Sequence, residues 1–81
     1  MPAMPPYEPL WRRIRREIQA KIAAGILKPG DKLPTTRELA DEYETSGVTV
    51  RKAVELLIEA GVLEGRQGVG VFVADTSEQD S

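Results

Sequence analysis

No cysteine and no histidine occur among the 81 residues of the sequence. The first absence excludes disulfides, thiolate metal sites and thiol nucleophiles, and it suits a reducing, intracellular setting. The second removes the commonest general base and the commonest metal ligand. With no carboxylate pair placed in a recognisable cleft either, catalysis has no visible machinery, and neither an enzyme nor a metal or cofactor is expected. No apolar run approaches the roughly 20 residues that span a bilayer. Met1-Pro2-Ala3-Met4-Pro5-Pro6 lacks the basic flank and apolar stretch of a secretory signal. A cytoplasmic protein without a membrane partner is expected. Aromatics are scarce, with Tyr7, Trp11, Tyr43 and Phe72 making up the whole set. Single-strand binding would want several spaced aromatics on an exposed sheet, so Tyr7 and Trp11 read as core or core-edge residues and Tyr43 and Phe72 as interior ones.

Length allows one small domain. The net charge of −2 gives no support for a nucleic-acid partner, but the charges are unevenly spread. Arg12, Arg13, Arg15, Arg16 and Lys21 fall in one segment, with Arg51, Lys52 and Arg66 further on. The acids Glu38, Asp41, Glu42 and Glu44 form a separate group. Residues 1–8 read as a flexible, proline-rich arm, residues 9–74 as the folded unit, and residues 75–81 as a flexible acidic tail or the start of a linker.

Within 9–74 the apolar spacing changes twice. Leu10, Ile14, Ile18 and Ile22 recur every four positions and line one side of a helix. Pro9 suits its first position and Gly25 its C-terminal cap. Lys32-Leu33 reads as a short extended piece, because Pro34 steers its predecessor away from helix. Thr35-Thr36-Arg37-Glu38 has the form of a capping box, which predicts a short helix with Leu39, Ala40 and Tyr43 on its inner side. Ser46 is a good N-cap for a further helix that runs to Ala60, buries Val50, Ala53, Val54, Leu57 and Ile58, and closes at Gly61. Val62-Leu63-Glu64 and Val71-Phe72-Val73 are β-rich, and Gly65-Arg66-Gln67-Gly68-Val69-Gly70 joins them as the glycine-rich tip of a hairpin. The fold class expected is mainly α with a small β-hairpin, a winged helix-turn-helix of three helices plus a wing.

The helix 46–60 carries the candidate site. Its N-terminal exposed face presents Ser46, Gly47, Val48, Thr49, Arg51 and Lys52. In helix-turn-helix proteins that part of the second helix enters the major groove. Arg51 can chelate guanine through two hydrogen bonds, and a threonine methyl can touch a thymine methyl. The same face could equally be the solvated side of a core helix. The hairpin tip with Arg66, Gln67 and Gly68 tilts the balance, because a three-helix core does not need it and glycine permits close approach to DNA. A plain β-turn is the alternative there. The arginines of the first helix read as a solvated face, with backbone phosphate as the alternative.

Several ordered segments resemble the GntR family of bacterial transcription regulators. Ile22-Ala23-Ala24-Gly25-Ile26-Leu27-Lys28-Pro29-Gly30-Asp31-Lys32-Leu33-Pro34 resembles its first motif, and Thr35-Thr36-Arg37-Glu38-Leu39-Ala40 is similar to the segment that follows. Thr49-Val50-Arg51-Lys52-Ala53 resembles the recognition-helix signature. Gly61-Val62-Leu63-Glu64 and the run from Arg66 to Val73 resemble the wing. The resemblance covers the chain from about Tyr7 to Ala74 and implies a sequence-specific regulator of double-stranded DNA, a repressor in most members, with the recognition helix 46–60 in the major groove and the wing 65–70 in the minor groove. By that resemblance Arg37 would meet phosphate and nearby bases, Ser46, Thr49 and Arg51 the major groove and its phosphates, and Gln67 and Gly68 the minor groove at the wing tip. The residues themselves add Thr35, Thr36, Gly47, Val48, Lys52 and Arg66 as candidates for the same DNA-binding surface. The family binds palindromic operators as a dimer, so a homodimer is implied.

This sequence departs from the family in places. Where members carry Gly-Val-Ser-Arg, it reads Glu44-Thr45-Ser46-Gly47, so an arginine is missing at Gly47. Members often have arginine where Gly65 and Val69 stand, and threonine where Val71 stands. Fewer cations should weaken phosphate-driven binding. With the acidic net charge, this keeps open a second reading, a winged-helix module that binds protein and has weak or no affinity for DNA. The effector-binding domain usual in the family is not visible, so the chain reads as a piece of a longer regulator or as a minimal form.

Overall fold

The computed structural model describes residues 8–75. Residues 1–7 of the expected proline-rich arm, Tyr7 included, and residues 76–81 of the expected acidic tail lie outside those residues, whereas Glu8, expected in the arm, is bonded to Arg16. Three helices, α1 (Leu10–Ala23), α2 (Thr36–Glu42) and α3 (Gly47–Glu59), precede an antiparallel hairpin of β1 (Leu63–Arg66) and β2 (Gly70–Val73). This is a winged helix-turn-helix.

The four-residue spacing in α1 works as the helical period requires. Ile14 and Ile18 are buried, and Leu10 and Ile22 pack against the same core from its edge. Val50, Ala53, Val54 and Leu57 of α3 and Leu39 and Ala40 of α2 meet them, with Leu33, Leu63 and Val73 completing the core from the extended segments. No polar side chain is buried among the described residues. Pro9 corrects one detail: it is the N-cap of α1, with an extended ψ of 142°, rather than its first helical residue.

All three helices end alike. At the end of α1 the Gly25 N–H donates to the Ile22 carbonyl and the Ile26 N–H to that of Lys21. At the end of α3 the same pair of bonds runs from Gly61 to Ile58 and from Val62 to Leu57. These are Schellman closures, which need one residue in the left-handed region; Gly25 and Gly61 supply it, both at φ 81°. At the end of α2 the bonds run from Glu44 to Asp41 and from Thr45 to Ala40, and there the left-handed residue is Glu44, at φ 56°. This closure turns the chain from α2 into α3 through residues 43–46.

The capping box expected at Thr35 forms in full. Its hydroxyl accepts from the Glu38 N–H at 3.0 Å, and its own N–H donates to Glu38 Oε1 at 2.8 Å. A side-chain network then fastens α2 to α1. The Tyr43 hydroxyl donates to Glu17 Oε1 at 2.6 Å, and Arg13 Nε donates to Glu17 Oε2 at 3.0 Å.

In the hairpin, Leu63 pairs with Val73 and Arg66 with Gly70. The strands reach further toward the tip than the sequence suggested, so that Gly65 and Arg66 lie in β1 and the turn is only 67–69. Two short strands are marginal alone, and residues 30–33 reinforce them. The Leu33 N–H donates to the Val71 carbonyl at 2.8 Å, and Val73 donates to Asp31 at 2.8 Å, so β2 is flanked on both sides. Phe72, expected inside, is half-buried instead and lies outside the core. Leu63 and Val73 point inward, and strand alternation places Phe72 on the other face.

Candidate nucleic-acid interface

Helical spacing decides what α3 can offer. Val50, Ala53, Val54 and Leu57 are committed to the core, which leaves positions 48, 51 and 52 together on the opposite face. Val48 is 75% exposed. Arg51 is exposed, and no ion pair holds it among the described residues. The acids of α3, Glu55 and Glu59, are also exposed but lie in its C-terminal half. The helix therefore has a basic and apolar N-terminal half and an acidic C-terminal half.

Its first turn is loosely closed. Ser46 Oγ accepts from the Thr49 N–H at 3.4 Å and lies 3.4 Å from the Thr49 hydroxyl. Gly47 opens the helix beside Thr36 of α2: a Cβ built there would touch only Thr36 Cγ2, at 3.5 Å. The starts of α2 and α3 are thus neighbours, and Thr36, Arg37, Ser46, Gly47 and Val48 fall in one region. Arg37 is exposed. Thr35 is bound into its capping box, but its hydroxyl only accepts there and keeps its proton for another partner.

Two of the basic side chains expected to project outward are held back. Lys52 Nζ lies 4.9 Å from the centroid of the Trp11 ring on α1, at a separation that marks a cation–π contact. Arg66 folds along the wing over Phe72, at 5.1 Å, with Glu64 3.7 Å from its Nε. The wing tip consists of Gln67, Gly68 and Val69. Gly68 takes φ 79°, and Val69 is 56% exposed. Near the tip end of β1, Gly65 approaches Ile58 of α3, where an added Cβ would come within 3.3 Å. Residue-by-residue reading of the sequence overlooked Trp11 as a platform for cations and Val69 as an exposed apolar tip. The first had a signal, since Arg15 lies one helical turn after Trp11.

The family model described as bacterial regulatory proteins, gntR family, matches residues 10–73. The chain belongs to the GntR family. Among curated GntR relatives, the mannosyl-D-glycerate transport/metabolism system repressor MngR of Escherichia coli is 46% identical over 69 residues, which is 85% of this chain and 29% of that protein. The arabinose metabolism transcriptional repressor of Halalkalibacterium halodurans is 39% identical over 66 residues, 82% of this chain and 18% of that protein. The chain thus spans less than a third of the length of these relatives. Among solved structures, the DNA-binding domain of AraR in complex with operator ORE1 superposes with a TM-score of 0.81 at 37% identity, covering 84% of this chain and 83% of that one. Membership places the chain among regulatory proteins rather than enzymes. No helix among the described residues is long and apolar enough to cross a membrane.

Proposed function

We propose that this chain is the operator-reading domain of a bacterial transcriptional repressor, acting in the cytoplasm, with residues 9–74 as the unit that docks on double-stranded DNA. The observation that carries this reading is the outer face of α3. Val48 and Arg51 stand free on it, Lys52 borders it, and the acids Glu55 and Glu59 are set back toward the far end. A helix entering the major groove by its N-terminal half meets base edges with those residues and keeps its carboxylates away from phosphate.

In this reading Arg51 chelates a guanine and Val48 packs on a thymine methyl. Ser46, Thr49 and the N–H groups at Gly47 and Val48 serve phosphate, as helix N-termini do. Thr35, Thr36 and Arg37 extend the backbone contact from the start of α2. Gln67 and Gly68 bring the wing tip to the minor groove, and Arg66 joins them by leaving Phe72. The relatives support repression through their names, and the operator complex of AraR supports duplex DNA as the ligand. In this reading the operator is palindromic and a homodimer reads it, since a two-fold protein matches a two-fold site. A single copy would hold a half-site weakly.

Selection of bound sequences from a random duplex pool tests the proposal, followed by titration of the recovered duplex at two salt concentrations. An enriched motif bound more weakly at higher salt is expected. If the folded chain enriches no motif and binds no duplex at low salt, the protein-binding alternative replaces this reading.

A further inference from the structure

The arginines of α1 look alike in sequence but differ in surroundings. Arg13 pairs with Glu17 at 3.0 Å and Arg16 with Glu8 at 2.7 Å. Arg15 does neither: its guanidinium lies over the Trp11 ring, 5.7 Å from the centroid. Lys52 reaches the same ring from α3, at 4.9 Å. Two cations from two helices thus converge on one aromatic platform. The platform is firm, because Trp11 is half-buried and packs against the core. No carboxylate among the described residues pairs with Arg15 or Lys52.

Like charges brought together repel, and the electron-rich ring offsets only part of that repulsion. An anion shared by the two would remove the rest. The position of the pair selects the anion. Lys52 follows Arg51 directly and lies one helical turn after Val48, so the Trp11 platform continues the α3 face sideways onto α1. When α3 enters a groove, the flanking strand runs along that side and presents its phosphodiesters.

We infer that Trp11, Arg15 and Lys52 form a seat for a DNA backbone phosphate at the α1 edge of the reading face, with Trp11 as the positioning residue for both cations. The inference rests on the DNA-binding reading above. It moves Lys52 from base reading to backbone contact, and it separates Arg15 from the solvated arginines around it.

The test uses the full chain and a short mixed-sequence duplex, with affinity measured as a function of salt. Trp11 is the only tryptophan, so its emission reports from the seat itself and should change on saturation with duplex. Arg15→Gln and Lys52→Gln should each lower the slope of log K against log salt by about 0.9, whereas Arg16→Gln should leave it unchanged. Trp11→Leu, with both cations retained, should weaken binding by about two- to fivefold, and Trp11→Phe should restore most of the loss. The seat is overturned, and the DNA-binding reading left standing, if the chain binds duplex and Arg15→Gln keeps the parental slope. The same holds if Arg16→Gln lowers the slope as much as Arg15→Gln, since a general charge effect would then explain both. Failure of the folded parent chain to bind any duplex at low salt would overturn the seat together with the function it rests on.

Discussion

The Tyr43 hydroxyl donates to Glu17 Oε1 at 2.6 Å, which ties the end of α2 to the middle of α1 across 26 residues of sequence. Each group alters the other. Burial first, and then the hydrogen bond to Glu17 and its charge, push the Tyr43 phenol from 10.0 up to about 12. The bond from Tyr43 first, and then that from Arg13, hold the Glu17 carboxyl below its usual range. Because α2 precedes the turn into α3, this contact also sets where α3 starts.

Tyr43→Phe should therefore destabilise the domain by about 1 kcal/mol at neutral pH, the typical net worth of one hydrogen bond. The sign with pH follows from linkage. A phenol raised from 10.0 to about 12 keeps in the folded state a proton that the unfolded chain releases, so its contribution is full below pH 10 and fades as pH rises to about 12. The lowered carboxyl of Glu17 works the other way: its contribution is present above the ordinary glutamate range and fades as pH falls through the depressed value. Urea unfolding of parent and variant across pH checks this. The gap between them should shrink on both the alkaline and the acid side, and a gap independent of pH would refute the coupling.

Glu44→Gly should raise stability by about 0.5–1 kcal/mol. The left-handed conformation disfavours a residue with a Cβ by roughly 1–2 kcal/mol, and the greater freedom of glycine in the unfolded chain returns part of that. Glu44→Ala is the control, since alanine meets the same backbone strain. A thermal melt in which alanine stabilises as much as glycine would show that the side-chain charge of Glu44, and not its φ of 56°, is the cause.

Gly47→Arg should tighten DNA binding and steepen its salt dependence by about 0.9 in the log–log slope, the effect of one added phosphate contact. The position accepts a side chain, because the only atom within 4 Å of a built Cβ is Thr36 Cγ2, at an ordinary 3.5 Å. Gly47→Ala should leave affinity unchanged. A fluorescence-anisotropy titration in which arginine brings no gain over alanine would mean that position 47 does not face the backbone.

Arg51→Ala should cost about 1–3 kcal/mol of binding and relax one operator position toward any base. Val48→Ala should lose less, and only on duplexes that carry the thymine methyl. Replacing each thymine of the selected site by uracil in turn identifies that partner: the double change should cost no more than either single one. Both side chains are exposed, so thermal stability should stay at the parental value. Equal binding by Arg51→Ala and the parent would remove Arg51 from the interface.

Much of this was legible along the chain because the signals are local. The four-residue repeat from Leu10 to Ile22, the capping box at Thr35 and the N-cap at Ser46 depend on neighbours within one helical turn, and the structure places each where the sequence does. The buried residues Val50, Ala53, Val54 and Leu57 of α3 followed from period alone, whereas Ile58, expected with them, is only partly buried at the edge of the core. The hairpin was visible in outline but its tip was not, because glycine-rich spacing does not reveal that Gly65 and Arg66 pair with Val71 and Gly70. Phe72 was misplaced for the same reason: hydrophobicity does not say which side of a two-stranded ribbon is covered, and register does.

The sequence by itself determined three amphipathic helices, their caps, a hairpin and a face of α3 left free for a partner. These follow from side-chain period and backbone preference, which act over a few residues. Only the tertiary structure decided how the charges are used. Arg13, Arg15 and Arg16 are near neighbours in sequence, yet one joins a carboxylate that also holds Tyr43 of α2, one a ring that it shares with Lys52 of α3, and one Glu8 before the helix. Electrostatic and ring contacts act through space, and their partners come together only when the three helices close on Ile14, Val50 and Leu57.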